Sequence, residues 1–404
     1  VSELSEFYDR PKRHKMNHPR GWEPGISWTQ DKGGVISTGP LTDEPTHAIW
    51  DELMKDWNLD PSQVAIVPGS IQVRAWDANT GDGIQRLKYY RATLEPVSET
   101  KAQDEQVERL CAQIAKRKPA KPAPPSDTAR AFVILASDWQ LGKSEGGGSE
   151  ATATRIMDSI DRAVVRFKEL KKLGRPCRSI YLVGLGDLVE QCSGHYAIQA
   201  FSVDLDRRQQ MKLARSLLMY AVDQLVSLGV PVILGAVPGN HGENRNASGK
   251  AYTTWTDNDD LAVFETVMEI LTHNPERYAN VAFPNCLIAE DLSMILDIEG
   301  IPCGFIHGHQ ARSGANAQQK MEKWLTGQIA GRQPISDAEI LFAGHLHHLV
   351  ISEAVGRTVI QVPAMDGGSH WWTSMTGQHA PAGMLTLCVG SQVGIRGWAD
   401  LLLV

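Results

Sequence analysis

"AFVILASDWQ", residues 131–140, is the stretch on which the fold turns. The apolar run from Ala131 to Ala136 has no polar residue in it and stops at Ser137-Asp138. Such a run, without polar alternation, is the pattern of a strand covered on both faces, as in a parallel sheet. Asp138 and Gln140 are then either an ordinary strand end or the first members of a ligand set. The later strand ends of the chain decide between the two.

"SIYLVGLGD", 179–187, repeats the pattern and ends on Asp187, and "PVILGAVPGN", 231–240, repeats it again and ends on Asn240, with His241 next. Between these strands, 152–172 places Ile156, Ile160, Val164, Phe167 and Leu170 on one helical face, and 206–228 reads as a second amphipathic helix. The β-α-β-α-β order predicts right-handed crossovers and a largely parallel sheet. After about residue 280 short strands dominate: "CLIA", "SMILDI", "CGFIHG", "EILFAG", "LVISEAV", "TVIQVP" and "MLTLCV". They predict a second sheet packed on the first.

Residues 1–95 have a different texture, rich in Trp, Gly and Pro. "THAIWDELMKDWNLDP" predicts a helix with Thr46 as N-cap, Ile49, Trp50, Leu53 and Trp57 at helical spacing, and a stop before Pro61. "SIQVRAWDA" and "LKYYRATLEPV" read as strands around an "NTGDG" turn. The expectation is a small α+β accessory module. Residues 96–128 read as a charged helix and then a Lys- and Pro-rich linker, which sets a domain boundary near 128 and leaves 129–404 as one larger domain.

The whole chain, 404 residues with 42% hydrophobic and 22% charged, has the composition of a globular protein with a well-buried core. A net charge of −7 argues against coating nucleic acid through bulk charge but leaves room for a local basic groove. The six cysteines are scattered with no CxxC pair, as in reduced buried thiols rather than a disulfide frame or zinc ribbon. No apolar stretch nears the roughly 20 residues that span a bilayer, and the N-terminus has no apolar signal core. A cytoplasmic protein without a membrane partner is expected.

Metal-ligand residue types fall at the end of one apolar run after another: Asp138, Asp187, Asn240-His241, His307 in "GFIHGH", and His345 with His347 in "FAGHLHH". In open α/β sheets that carboxyl edge is where ligand sites form. Singly, each is weak, since Gly-Asp and Asn-His are common turn sequences and a lone buried His is usually a core residue. "GHLHH" is stronger, because alternation puts His345 and His347 on the same side of an extended segment.

In this order and on these strand ends, the motifs Asp138-x-Gln140, Gly186-Asp187, Gly239-Asn240-His241, His307 and Gly344-His345-x-His347 resemble those of the calcineurin-like metallophosphoesterases, over about residues 130–370. The resemblance implies an α/β fold, a four-layer α-β-β-α sandwich carrying two divalent metals at the strand ends. It implies that Asp187 bridges the two metals. Asp138, Gln140 and His347 would complete one position, and Asn240, His307 and His345 the other. His241 would face the substrate phosphate without binding metal.

The chemistry suits those residue types. Two cations about 4 Å apart need a shared carboxylate and a bridging hydroxide between them, and together they lower the pKa of that water and neutralise phosphate charge. His241 can donate a proton to the leaving oxygen or hydrogen-bond the phosphate. Nitrogen and oxygen donors without thiolate suit Mn first, with Fe or Zn as alternatives. Two departures from the family stand out. Gln140 replaces an imidazole with a neutral, poorer donor. Gly242 comes after His241 where an acidic residue is usual, with Glu243 next, which leaves the partner that orients His241 open.

Around the rim, Arg245 and Lys250 in "NHGENRNASGK" are candidates for phosphate contact. Ser369 and His370 in "VPAMDGGSHWW", together with His309, His348 and His195, are candidates for substrate or supporting contacts, and Trp371 and Trp372 for base stacking or packing. Three functional readings fit these residues. The first is a DNA nuclease, similar to the double-strand-break repair exonucleases of the family and to phage-encoded phosphoesterases; those exonucleases are usually dimers. The long insertions and the basic residues Lys116, Arg117, Lys118 and Lys121 suit a polymeric substrate. The second is a phosphomonoesterase or cyclic-nucleotide phosphodiesterase. The third is a binding scaffold on a degenerate site, for which Gln140 is the evidence.

Overall fold

The computed structural model describes residues 21–29, 32–41, 44–61, 63–80, 83–96, 99–118, 128–197, 199–246, 248–251, 253–283, 291–311, 316–368, 373–374, 377 and 379–404. The chain divides into two compact units, Val1–Ala102 and Gln103–Val404.

The first unit carries β1 (Gly25–Thr29), β2 (Gly33–Ser37), α1 (His47–Asp56), β3 (Val64–Ile66), β4 (Gln72–Thr80) and β5 (Gly83–Pro96). Its antiparallel sheet has the order β1-β2-β5-β3, with β4 also paired to the long β5. Trp50, Leu53 and Met54 of α1 pack against Ile36, Val64, Tyr90, Ala92 and Leu94 of the sheet. Thr46 occupies the N-cap position but its side chain makes no capping hydrogen bond.

The second unit begins within α2 (Glu99–Lys116), whose Val107, Leu110 and Ile114 lie in this unit's main core. Their i, i+3, i+7 spacing is the core stripe of a helix, so the charged helix expected between the domains belongs to the larger one. The linker residues 119–127 lie outside the described residues. Next along the chain are β6 (Ala131–Ala136), α3 (Gly148–Lys172), β7 (Ser179–Gly184), α4 (Arg207–Val226), β8 (Val232–Ala236), α5 (Asp259–Thr272) and β9 (Val281–Ala282). After these come β10 (Ser293–Ile298), β11 (Ile301–Ile306), α6 (Ala317–Ala330), β12 (Ile340–Ala343), β13 (Val350–Ala354), β14 (Arg357–Gln361), β15 (Leu385–Val389) and β16 (Trp398–Leu403).

One sheet has the order β16-β15-β6-β7-β8-β9, parallel from β6 to β9. The other has the order β10-β11-β12-β14-β13. The expected second sheet is therefore there, but its last predicted strand, "MLTLCV", is β15, which pairs antiparallel with β6 of the first sheet. The segment "CLIA" lies outside the described residues.

Strand β6 shows how the cores are arranged. Phe132, Ile134 and Ala136 enter a core shared with α3, α4 and α5, while Ala131, Val133 and Leu135 enter one shared with Phe305, Ile340, Phe342 and Ile360 of the second sheet. Successive side chains point to opposite faces, so an unbroken apolar run means an apolar environment on both. A smaller cluster joins the second sheet's Ile306, Leu341, Ala343 and Val359 to Met321 and Leu325 of α6. No helix among the described residues is long and apolar enough to cross a membrane.

Leu110 is 2% exposed in the main core. Leu110→Ala is expected to destabilise the larger unit by about 2–5 kcal/mol, the usual cost of truncating a buried Leu. Urea unfolding monitored in both units reads this out, and an unchanged midpoint for the larger unit would remove α2 from its core.

Candidate metal centre

The parallel strands continue to pair beyond their ends, and this sets the site. Leu185 N–H donates to Ala136 O at 2.7 Å, Gln140 N–H to Asp187 O at 2.9 Å, Val237 N–H to Gly184 O at 2.9 Å and Gly344 N–H to His307 O at 2.8 Å. Met365 N–H donates to Asp138 O at 3.0 Å, and His345 N–H to Asp138 Oδ2 at 3.0 Å. The ends of β6, β7, β8, β11 and β12 are thereby laced into one rim.

At that rim the backbone turns sharply. Asp138, Gln140, Asp187, His345 and His347 all have left-handed φ, at 49°, 42°, 54°, 71° and 58°. For non-glycine residues this costs about 1–3 kcal/mol each, and such conformations cluster at functional sites. Glycine appears where the backbones come closest. A Cβ on Gly239 would lie 2.1 Å from Asp187 Oδ1, and one on Gly344 would lie 2.1 Å from Ser137 Oγ.

His307 is fully buried and gives the clearest reading. Its Nδ1 is 2.7 Å from the Leu185 carbonyl, which can only accept, so Nδ1 carries the proton. Its Nε2 then presents a lone pair, yet lies 3.0 Å from Asp187 Oδ2 and 3.1 Å from Asn240 Oδ1. Three electron-pair donors face one another, and Asp187 Oδ2 is buried without an aligned hydrogen bond. A cation there, either a proton on His307 or a metal ion, satisfies all three. Without a metal, burial lowers the His307 pKa but the carboxylates of Asp187 and Asp138 outweigh it and lift it to about 9. Donor atoms of Asp187, His307 and His345 all lie within 4.8 Å of one another, so this trio with Asn240 has the makings of a nitrogen and oxygen metal site.

Asp138 is also buried, with Oδ1 lacking an aligned hydrogen bond though His347 Nε2 stands 3.2 Å away. Burial would raise the pKa values of Asp138 and Asp187, but neighbouring imidazoles, His347 for the first and His307 with His241 for the second, hold both below the usual carboxylate range. His347 in turn is lifted to about 10, burial notwithstanding, by Asp138 and Asp366. At His345 burial, and after it His307, outweighs the pull of Asp187 and Asp138 and drops the pKa to about 4.

His241 N–H donates to Asp187 Oδ1 at 2.7 Å. Its ring Nδ1 is 3.1 Å from the Glu190 carbonyl and 3.3 Å from Glu190 Oε2. Glu190 is thus the partner that orients His241, a role the sequence left open. Glu243 is turned to Arg245, at 2.6 Å. His195 stacks on His241 with centroids 4.6 Å apart and planes 7° apart, and both its ring nitrogens are buried without a partner. Burial, and after it His241, lowers its pKa to about 3, so it is neutral at ordinary pH. His309 sits with its ring 5.4 Å from His307 and is likewise lowered to about 3, by burial and then by His307.

The structure thus brings Asp138, Asp187, Asn240, His241, His307, His345 and His347 together, with His195 and His309 in ring contact with members of the set. Gln140 lies beside them, its Oε1 accepting from Lys143 Nζ at 3.2 Å. His348 is exposed and bonds the Leu346 carbonyl. Ser369, His370, Trp371 and Trp372 lie outside the described residues. Arg117, counted in the sequence as a basic linker residue, is instead ion-paired with Asp158 and Asp161.

Asp260 is a residue that the motif reading missed. It is 1% exposed and accepts the backbone N–H groups of Asp187 at 2.8 Å, Leu188 at 2.8 Å and Gly239 at 3.0 Å. Its helix, α5, is not among the expected elements. The signal for it was there: Asn258 as N-cap, two acidic residues in the first turn, then Leu261, Phe264 and Val267. Burial and the nearby Asp187 push the Asp260 carboxyl up to about 7.

No family model matches the chain, and no curated protein matches it. Solved structures do. A predicted phosphoesterase of Streptococcus pneumoniae is 10% identical, over 65% of this chain and 84% of that one, with a TM-score of 0.28. An archaeal phosphodiesterase is 12% identical over 68% and 99%, with a TM-score of 0.31. Vacuolar Protein Sorting 29 of Cryptosporidium parvum is 15% identical over 68% and 97%, with a TM-score of 0.29.

Two outcomes test this geometry. Glu190→Gln should bring the His241 pKa of the metal-free protein down from about 9, because the carboxylate that offsets burial is gone. NMR titration of the ring reads it. His241 protonation favours folding below the ring's ordinary value of about 6.5, and that contribution disappears as pH rises through about 9. Asp260→Asn, the same shape with an NH2 facing an N–H, should lower thermal stability, since each stranded buried donor costs about 1–3 kcal/mol. A wild-type melting temperature would show that the loops hold themselves.

Proposed function

We propose that this protein is a divalent-metal-dependent phosphoesterase, acting on phosphodiester bonds, with DNA as the substrate class. The fold reading that goes with it is a helix–sheet–sheet–helix sandwich with the site on the carboxyl edge. The observation that carries the proposal is the convergence of His307 Nε2 with Asp187 Oδ2 and Asn240 Oδ1 at 3.0 and 3.1 Å, with the other ring nitrogen committed to a carbonyl. A bound divalent ion would supply Lewis-acid stabilisation of phosphate charge and an activated water, with Mn the first candidate.

The chain's own residues do the rest. Asp187 and Asn240 fix the donor set on adjoining strand ends. His241 stands beside Asp187 with its Nδ1–H held by Glu190, an arrangement that sets the ring's tautomer for a phosphate contact or proton donation. Arg245, on the loop after His241, brings a guanidinium paired with Glu243 to the neighbourhood of His195 and His309. The DNA assignment draws on that loop and on the insertion carrying His195, which lays a second imidazole over His241.

The test is a Mn-dependent assay on end-labelled linear DNA alongside bis-p-nitrophenyl phosphate. Asp187→Ala and His241→Ala are expected to abolish or cut turnover, the latter by about 10²–10⁴-fold. Cleavage of only the small diester would redirect the substrate to a small phosphodiester. Turnover of neither, by folded and metal-loaded protein, would leave a binding scaffold.

A further inference from the structure

We propose that the two metal positions implied by the motif set are unequal: Asp187, Asn240, His307 and His345 retain a divalent ion, whereas beside Asp138, Gln140 and His347 the ammonium of Lys143 stands in for the second one. The inference rests on the metal-dependent reading above.

Gln140 occupies the place where the related motifs have an imidazole. A neutral amide oxygen is already a weak donor, and here that oxygen accepts from Lys143 Nζ at 3.2 Å. A metal ion using it would have to displace the ammonium or share an oxygen with it. Lys143 is not a loose surface residue. Its backbone N–H donates to Gln140 O at 3.0 Å, closing a turn, and its backbone bridges to Val203 on the other side. Its Nζ also pairs with Asp366, and its side chain is only 15% exposed. In such a setting its charge is weakly screened and repels a dication nearby.

Asp366 links this ammonium to the rest of the rim. Its Oδ2, paired with Lys143, is also 3.6 Å from His347 Nδ1, and His347 Nε2 is 3.2 Å from Asp138 Oδ1. The row Gln140–Lys143–Asp366–His347–Asp138 is therefore joined by side-chain contacts in which the Lys143 ammonium already supplies a positive charge. Among the described residues, the hydrogen bonds and ion pairs of Asp187, Asn240 and His307 include no lysine or arginine, and His307 Nε2 faces Asp187 Oδ2 at 3.0 Å and Asn240 Oδ1 at 3.1 Å. Independently, the carboxylate and imidazole donors that converge among the described residues are Asp187, His307 and His345, and neither Asp138 nor His347 joins them.

The count of bound metal decides this. Full-length protein is loaded with excess MnCl2, freed of unbound ion by gel filtration, and measured for Mn per chain by mass spectrometry and by low-temperature EPR. The expected result is one Mn per chain with the six-line signal of an isolated ion. Gln140→His/Lys143→Ala should take the count towards two, with an exchange-coupled spectrum. Lys143→Met alone should tighten binding of a second Mn by at least about tenfold, the effect of removing one like charge. Two Mn per wild-type chain with a coupled spectrum would overturn the inference, and the wild-type count needs no variant to fold. A folded double variant that stays at one Mn would overturn it too. No Mn retained by the wild type would instead overturn the metal-dependent reading, and the inference with it.

Discussion

The placement of Asp187 depends on a carboxylate that would never be suspected of handling substrate. Asp260 is buried in the first turn of α5 and collects three backbone N–H groups, two from the end of β7 and one from the loop after β8. Those two loops carry Asp187, Asn240 and His241. Asn258 locks the arrangement from the same helix end, capping Asp260 N–H at 3.0 Å and donating to Gly239 O at 2.8 Å. A helix N-terminus is a favourable place for a carboxylate, and buried N–H donors are the partners that make its burial tolerable. The cost shows in the upward push on Asp260 from burial and from Asp187.

Around that clamp the rim is a set of buried and half-buried charges that answer one another. Asp138 and Asp187 are held ionised by imidazoles, and those imidazoles, His347, His307 and His241, are held protonated by carboxylates when no metal is present. Burial of any one of these groups alone would be prohibitive. The pattern also separates roles. His195, His309 and His345 are kept neutral by burial, and so are free to offer lone pairs. Left-handed backbone at five of the ligand-type residues, and bare glycines where a Cβ would collide with Asp187 or Ser137, are further costs accepted at the same rim.

The departure at Gln140 fits within this balance. The Gln140 side-chain oxygen meets a lysine three residues on, and the lysine's charge is taken up by Asp366. The two halves of the rim then differ in kind. One has an ammonium among its contacts, and the other does not.

Much of this was legible in the sequence because it is local. Unbroken apolar runs in β6, β7 and β8 identify strands buried on both faces, and the residue that ends each run lies at a sheet edge whatever the details. That puts Asp138, Asp187, Asn240, His307, His345 and His347 on one rim, and the structure gathers them there. What the sequence could not show is pairing between segments far apart along the chain. Asp260 reaches back 73 residues to Asp187, Lys143 reaches 223 residues to Asp366, and β15 returns to the first sheet beside β6. Glu190 lies close to Asp187 in sequence, but the turn that presents it to His241 is set by both loops at once. Periodicity reports which face a residue takes. Only the tertiary structure decides which other residue meets it there, because hydrogen bonds and ion pairs act over a few ångströms in space regardless of separation along the chain.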